Sequence, residues 1–100
     1  IDTGISGRAA RKVGIKLRQT AASRQVLCVT HLAQIASLAH HHLLISKTVR
    51  EGRTYTEVTP LDQEAREREL ARIIGGEVTT AALEAAREML KKADEDCPGV

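Results

Sequence analysis

Residues 25–31 read QVLCVTH, an unbroken apolar run at 26–29 between polar neighbours. A run that short, with no alternation, suits a strand covered on both faces, as the strands of a parallel sheet are. His31 then falls at the carboxyl end of that strand, the edge where open α/β sheets place their ligand contacts. There an imidazole can donate to a phosphate oxygen or to an attacking water. Taken alone, a histidine in this place is more often a capping or packing residue.

Upstream, IDTGISG (residues 1–7) is a glycine-punctuated turn, with Gly4 and Gly7 flanking Ser6. It leads into a helix predicted over residues 7–22, with Ser6 as a fair N-cap. Ala10, Val13, Leu17 and Ala21 recur at helical spacing and predict the buried stripe. Arg8, Lys12 and Lys16 lie on one line of that helix, with Arg11 and Arg18 beside them, a face that is solvated or meets an anion. Downstream, HLAQIASLA (residues 31–39) predicts a short helix that buries Leu32, Ile35, Ala36 and Ala39. Two β-rich runs follow, HLLISKTVR and RTYTEVT, joined by Glu51-Gly52 as a tight hairpin turn and ended by Pro60. Asp62 is placed to cap a helix closed by Gly75-Gly76, with Leu70, Ile73 and Ile74 inward and Glu64 able to pair with Arg68. Thr79 or Thr80 caps a last helix striped by Ala82, Leu83, Ala86, Met89, Leu90 and Ala93. Residues 94–100, DEDCPGV, read as a frayed tail. The predicted order is α-β-α-β-β-α-α, an α/β piece with a parallel central strand and an edge hairpin. Its first helix has no strand before it, which predicts sequence upstream of Ile1.

A chain of 100 residues makes at most one domain, and at that size only about 60–70% of the unfolded surface is buried. Tyr55 is the only aromatic residue. The core must therefore come from Leu, Ile, Val and Ala, without the side chains that bury most area each. This predicts a piece that completes its core with sequence from elsewhere. The formal net charge of +2 conceals an asymmetry: the first fifty residues hold eight Lys/Arg against Asp2, the last fifty seven against twelve acids. A basic half can meet phosphate, although solvated helix faces account for such charge equally well. Cys28 and Cys97 have no metal-type spacing and fit a reducing compartment better than a disulfide framework. His40-His41-His42 lacks a further ligand at the spacing a tetrahedral site needs and reads as a polar junction. No apolar stretch approaches the ~18–20 residues of a membrane helix and no signal peptide is evident, so the expected compartment is cytoplasmic, with no membrane partner.

Three anchors in order, IDTGISGRAARKV, RQVLCVTHLAQIASLAHHHLLISK and LARIIGG followed by EVTTAALEAAREML, resemble the C-terminal segment of the RecN family of bacterial DNA double-strand-break repair proteins. The likeness covers nearly the whole chain. It implies an SMC-like, ABC-type ATPase head whose two halves are separated by a long coiled coil. Residues 1–100 would be the C-terminal lobe of that head, from the D-loop onward. The Walker A, signature and Walker B motifs and the coiled coil would lie outside this sequence, with the Walker B Asp-Glu pair directly before Ile1.

The resemblance also implies roles. Asp2, Thr3, Gly4, Ile5, Ser6 and Gly7 match the D-loop, which crosses a head-to-head dimer near the partner's nucleotide. His31 matches the switch histidine that contacts the γ-phosphate, a donor where charge builds on the transferred phosphoryl group. Arg8, Arg11 and Lys12 are candidate phosphate or DNA contacts. Implied for the complete protein are ATP, Mg2+, DNA, the N-terminal half of the head, a second copy and a nucleoid-associated place in the cytoplasm. Two positions depart from common patterns: Ser6 stands where many related D-loops carry aspartate, and Ala33 replaces the proline that usually follows His-Leu. The sequence contains no G-x-x-x-x-G-K-[ST] phosphate loop. The expectation is that the chain alone neither grips ATP tightly nor hydrolyses it, with turnover belonging to the complete protein. Two other readings stay open: a small basic nucleic-acid-binding module, and a non-catalytic module that docks a partner helix along its last apolar stripe.

Overall fold

Local caps and one tight turn set most element boundaries. The computed structural model describes residues 7–100. In chain order these form α1 (Gly7–Thr20), α2 (Ala33–Ala36), β1 (Leu43–Arg50), β2 (Arg53–Pro60), α3 (Gln63–Gly75) and α4 (Thr80–Asp96). Asp62 caps α3 by accepting from the Ala65 amide at 2.8 Å. Gly76 closes it in the left-handed conformation at φ 78°, its amide donating to the Arg72 carbonyl, which only glycine does without a Cβ penalty. Thr79 caps α4 through the Ala82 amide. The two strands pair antiparallel through a two-residue turn, with Glu51 and Gly52 both at positive φ (51° and 76°). That geometry matches the twist of a hairpin.

The core is built from small side chains. Leu70 and Ala71 of α3 meet Ala82, Ala86 and Leu90 of α4, and Ala33 and Ala36 of α2 close the cluster. Alanines at helical spacing let the axes of α3 and α4 approach closely, and Leu83 and Met89 flank the contact. The stripe expected on the last helix is the one that packs. A second cluster joins Leu38 to Ala93 and Cys97, with Ile15 and Val100 against it. The last residues are thus not a frayed tail: α4 runs to Asp96 and Cys97 is buried.

The chain is mixed α/β as expected, but its order among the described residues is α-α-β-β-α-α. Residues 25–32 form no strand, and the only sheet among the described residues is the hairpin. Leu27 is 84% exposed and Val29 72%. A doubly covered strand needs a ladder partner on each edge and a layer on each face. Here β1 and β2 pair with each other, and no strand is offered to 25–30.

Three smaller differences share a cause in packing. In α1 the buried positions are Ala10 and Gly14, while Val13 and Leu17 line an open surface groove. A Cβ on Gly14 would come within 2.6 Å of the Leu38 side chain, so α1 turns its glycine toward α2 to gain a close approach. The helix after His31 is a single turn, with Ala39 exposed beyond it. Ile74 is exposed beside the Gly75-Gly76 stop. Glu64 and Arg68 do not pair, and Glu67 instead ties α3 to Arg87 of α4 at 3.0 Å.

Candidate functional site

His31 sits between an irregular segment, residues 25–30, and a four-residue helix. The Leu32 amide donates to Thr30 Oγ1 at 3.0 Å, a local turn that a threonine side chain supports. Leu32 is the N-cap of α2, and its carbonyl accepts from the Ile35 and Ala36 amides. The imidazole between them is exposed. With Leu32, Ala33, Gln34, Ile73, Ile74 and Met89 it borders an open depression of about 380 Å³. The ring therefore stands at a surface where a bulky ligand can reach it, with aliphatic side chains on one flank.

A helix of one turn is almost all ends, and its carbonyls at Ala33, Ile35 and Ala36 accept from the amides of Ser37, Leu38 and Ala39. Two arginines remote in sequence add donors at its carboxyl end and just beyond it. Arg66 Nη2 donates to the carbonyls of Ala36 (3.1 Å), Ser37 (3.3 Å) and Ala39 (2.5 Å). Arg18 Nη1 reaches the Leu38 carbonyl at 3.4 Å, while its other nitrogens bind Asp94 Oδ1 and the Val100 carbonyl. Positive charge at the carboxyl end of a helix is favoured by both hydrogen bonding and the backbone dipole. Burial lowers the Arg66 pKa, which Asp94 opposes and Arg18 reinforces. His42 lies on the same side, with its Nδ1 buried and lacking a hydrogen-bond partner. Burial, and then the Arg66 charge, hold its pKa below the ordinary value against an opposing pull from Glu69.

The remaining expected site residues divide. Asp2, Thr3, Gly4, Ile5 and Ser6 lie outside the described residues. Gly7 begins α1 and faces the Gln34 side chain, since a Cβ there would stand 3.2 Å from Gln34 Nε2. The end of the opening turn and the residue three beyond His31 are therefore neighbours. Arg8 and Lys12 are exposed. Arg11 forms an ion pair with Asp96 at the end of α4. With Arg18 bound to Asp94, two of the five cations on that helix are turned to internal carboxylates. Among the described residues, no group of three or more His, Cys, Asp or Glu side chains is arranged to hold a metal ion.

No protein-family model matches the chain. Among curated proteins it is 44% identical over 96 residues to DNA repair protein RecN of Bacillus subtilis, covering 95% of this chain and 17% of that protein. It is 48% identical over 91 residues to RecN of Vibrio cholerae, with 90% and 16% covered. RecN of Deinococcus radiodurans is 50% identical over 90 residues, again with 90% and 16% covered. The chain corresponds to a C-terminal segment of RecN. It spans about one sixth of the length of the relatives it matches.

The structure shows how alanine is accommodated after His31-Leu32. Ala33 is the first helical residue after the Leu32 cap. That position is where proline fits a helix without losing a hydrogen bond, and where alanine, the best helix former, fits as well. Sequence reasoning missed Arg66 and Gly14. Arg66 sat unremarked on an Arg/Glu-rich helix, and nothing local marks a guanidinium that bonds carbonyls 27 to 30 residues away. Gly14 carried a usable signal: a glycine inside an otherwise strong helix implies a packing reason.

Proposed function

We propose that this chain is the C-terminal lobe of a RecN-type ATPase head acting in DNA double-strand-break repair and recombination, and that it supplies the D-loop and the switch histidine. Identity of 44–50% to three proteins named DNA repair protein RecN supports the repair role. For His31, the carrying observation is its placement: an exposed imidazole held on a hydrogen-bonded bend, bordering an open surface. An imidazole there donates an N–H to a phosphoryl oxygen, and a preorganised donor acts on charge that builds in the transition state. Among the described residues no group of three or more His, Cys, Asp or Glu side chains is arranged to hold a metal ion, and Mg2+ would be held by other parts of the complete protein. The chemistry belongs to the head completed by a phosphate loop and by acidic residues from other segments.

His31→Ala in the complete protein is expected to lower ATP turnover by about 10²-fold or more, the scale for loss of one preorganised donor, while thermal unfolding stays unchanged. Turnover equal to that of the parent would remove His31 from the mechanism.

A further inference from the structure

The geometry points to Arg66 as the positioning residue for His31, acting through the carbonyl end of α2; the inference rests on the reading of His31 given above. The path is continuous. Thr30 accepts from the Leu32 amide, and the Leu32 carbonyl accepts from Ile35 and Ala36. The Ala33 carbonyl accepts from the Ser37 amide at 2.9 Å. Arg66, rooted in the first half of α3, then takes the carbonyls of Ala36, Ser37 and Ala39 with one nitrogen. A turn this short has no helical length to fix its direction, because nucleation is unfavourable and no further turns follow to offset it. Its orientation must come from outside, through the burial of Ile35 and Leu38 and through polar ties that include Arg66 and, more weakly, Arg18.

The attachment is directional in a way apolar packing is not. Ala33 and Ala36 offer one methyl group each to the cluster below, and Ile35 and Leu38 are buried beside them. Arg66 Nη2 shares its two N–H groups among three carbonyls, which adds a directional polar tie to that packing. Arg66 is itself half-buried and rooted in α3, whose Leu70 and Ala71 pack against Ala82, Ala86 and Leu90 of α4. Arg66 thus joins the stable helix pair to the exposed bend that carries the imidazole.

The test compares Arg66→Met, which keeps the aliphatic stem and deletes the donors, with Arg66→Lys, which keeps a charge and three donors. Both are made in the complete protein. Turnover is counted per molecule competent to bind nucleotide, and amide hydrogen exchange is followed in α2 and α4. Arg66→Met is expected to quicken exchange at residues 35–39 but not in α4, and to lower kcat by about 10–100-fold, as small displacements of a catalytic group do. Arg66→Lys is expected to restore most of both. Faster exchange at 35–39 with kcat unchanged overturns the inference. So does loosening throughout the chain in Arg66→Met with Arg66→Lys equal to the parent, since Arg66 would then serve the fold alone. His31→Ala decides between levels: an active His31→Ala removes the reading of His31 and this inference with it, whereas an inactive His31→Ala beside an active Arg66→Met removes this inference only.

Discussion

The α3–α4 pair and the earlier stretch made of residues 25–30 and 43–60 have similar side chains and end in opposite states. In the helix pair, Leu70, Ala71, Ala86 and Ala93 are fully enclosed, both helices begin at a side-chain cap, and α3 ends at a left-handed glycine. In the earlier stretch, Leu27, Val29, Ile45, Val49 and Val58 face outward. Apolar content therefore does not decide burial. A helix pair covers its own stripe with a neighbour close in sequence, and its backbone bonds are internal. A single extended segment can do neither, since its ladder and both faces must be supplied by other strands. The candidate site lies at the seam between the two regions.

Substitutions can break this contrast or sharpen it. Leu70→Ala removes a fully buried side chain from the shared cluster, and is expected to cost about 2–5 kcal/mol. Chemical denaturation of the chain measures it, and a loss no larger than that of a surface change would mean the helix pair is not the stable region. Gly14→Ala places a methyl group 2.6 Å from a Leu38 carbon and 3.3 Å from the Gln34 carbonyl. The helix-propensity gain cannot offset this overlap, and a net cost of about 1–3 kcal/mol is expected. A rise in unfolding temperature would show instead that α1 and α2 sit further apart. Thr79→Ala deletes the α4 cap, for about 1 kcal/mol, read from the same denaturation curves. Smallest of all, Leu27→Ser should leave the stability of this chain within about 0.5 kcal/mol, as exposed positions do. A large loss would place Leu27 in a core.

Much of the helical half was legible beforehand. Asp62, Thr79 and Gly76 act within three or four residues of themselves, and the Ala82 to Ala93 stripe repeats at the period of the helix that buries it. The hairpin turn was legible for the same reason, since Glu51-Gly52 fixes its own dihedral angles. The reading failed where a partner was assumed. QVLCVT carries the pattern of an enclosed strand, but among the described residues no strand pairs with it. The tail DEDCPGV looked polar, yet Cys97 and Val100 pack against Leu38 and Ile15. Of the candidate site, His31 was singled out as following a strand that does not form here, and the arginines bound just beyond it were not legible.

Sequence by itself determined the caps, the hairpin turn, the apolar stripe of α4 and the likeness to RecN, because each is written in residues close together or in an ordered string. Tertiary structure alone decided that α1 presents Gly14 rather than Val13 to its neighbour, and that Arg18 and Arg66 bond carbonyls at residues 36–39. These depend on where a side chain lands after tens of intervening residues have folded. A guanidinium can satisfy any carbonyl within reach, so its partner is chosen by packing and leaves no trace in local spacing.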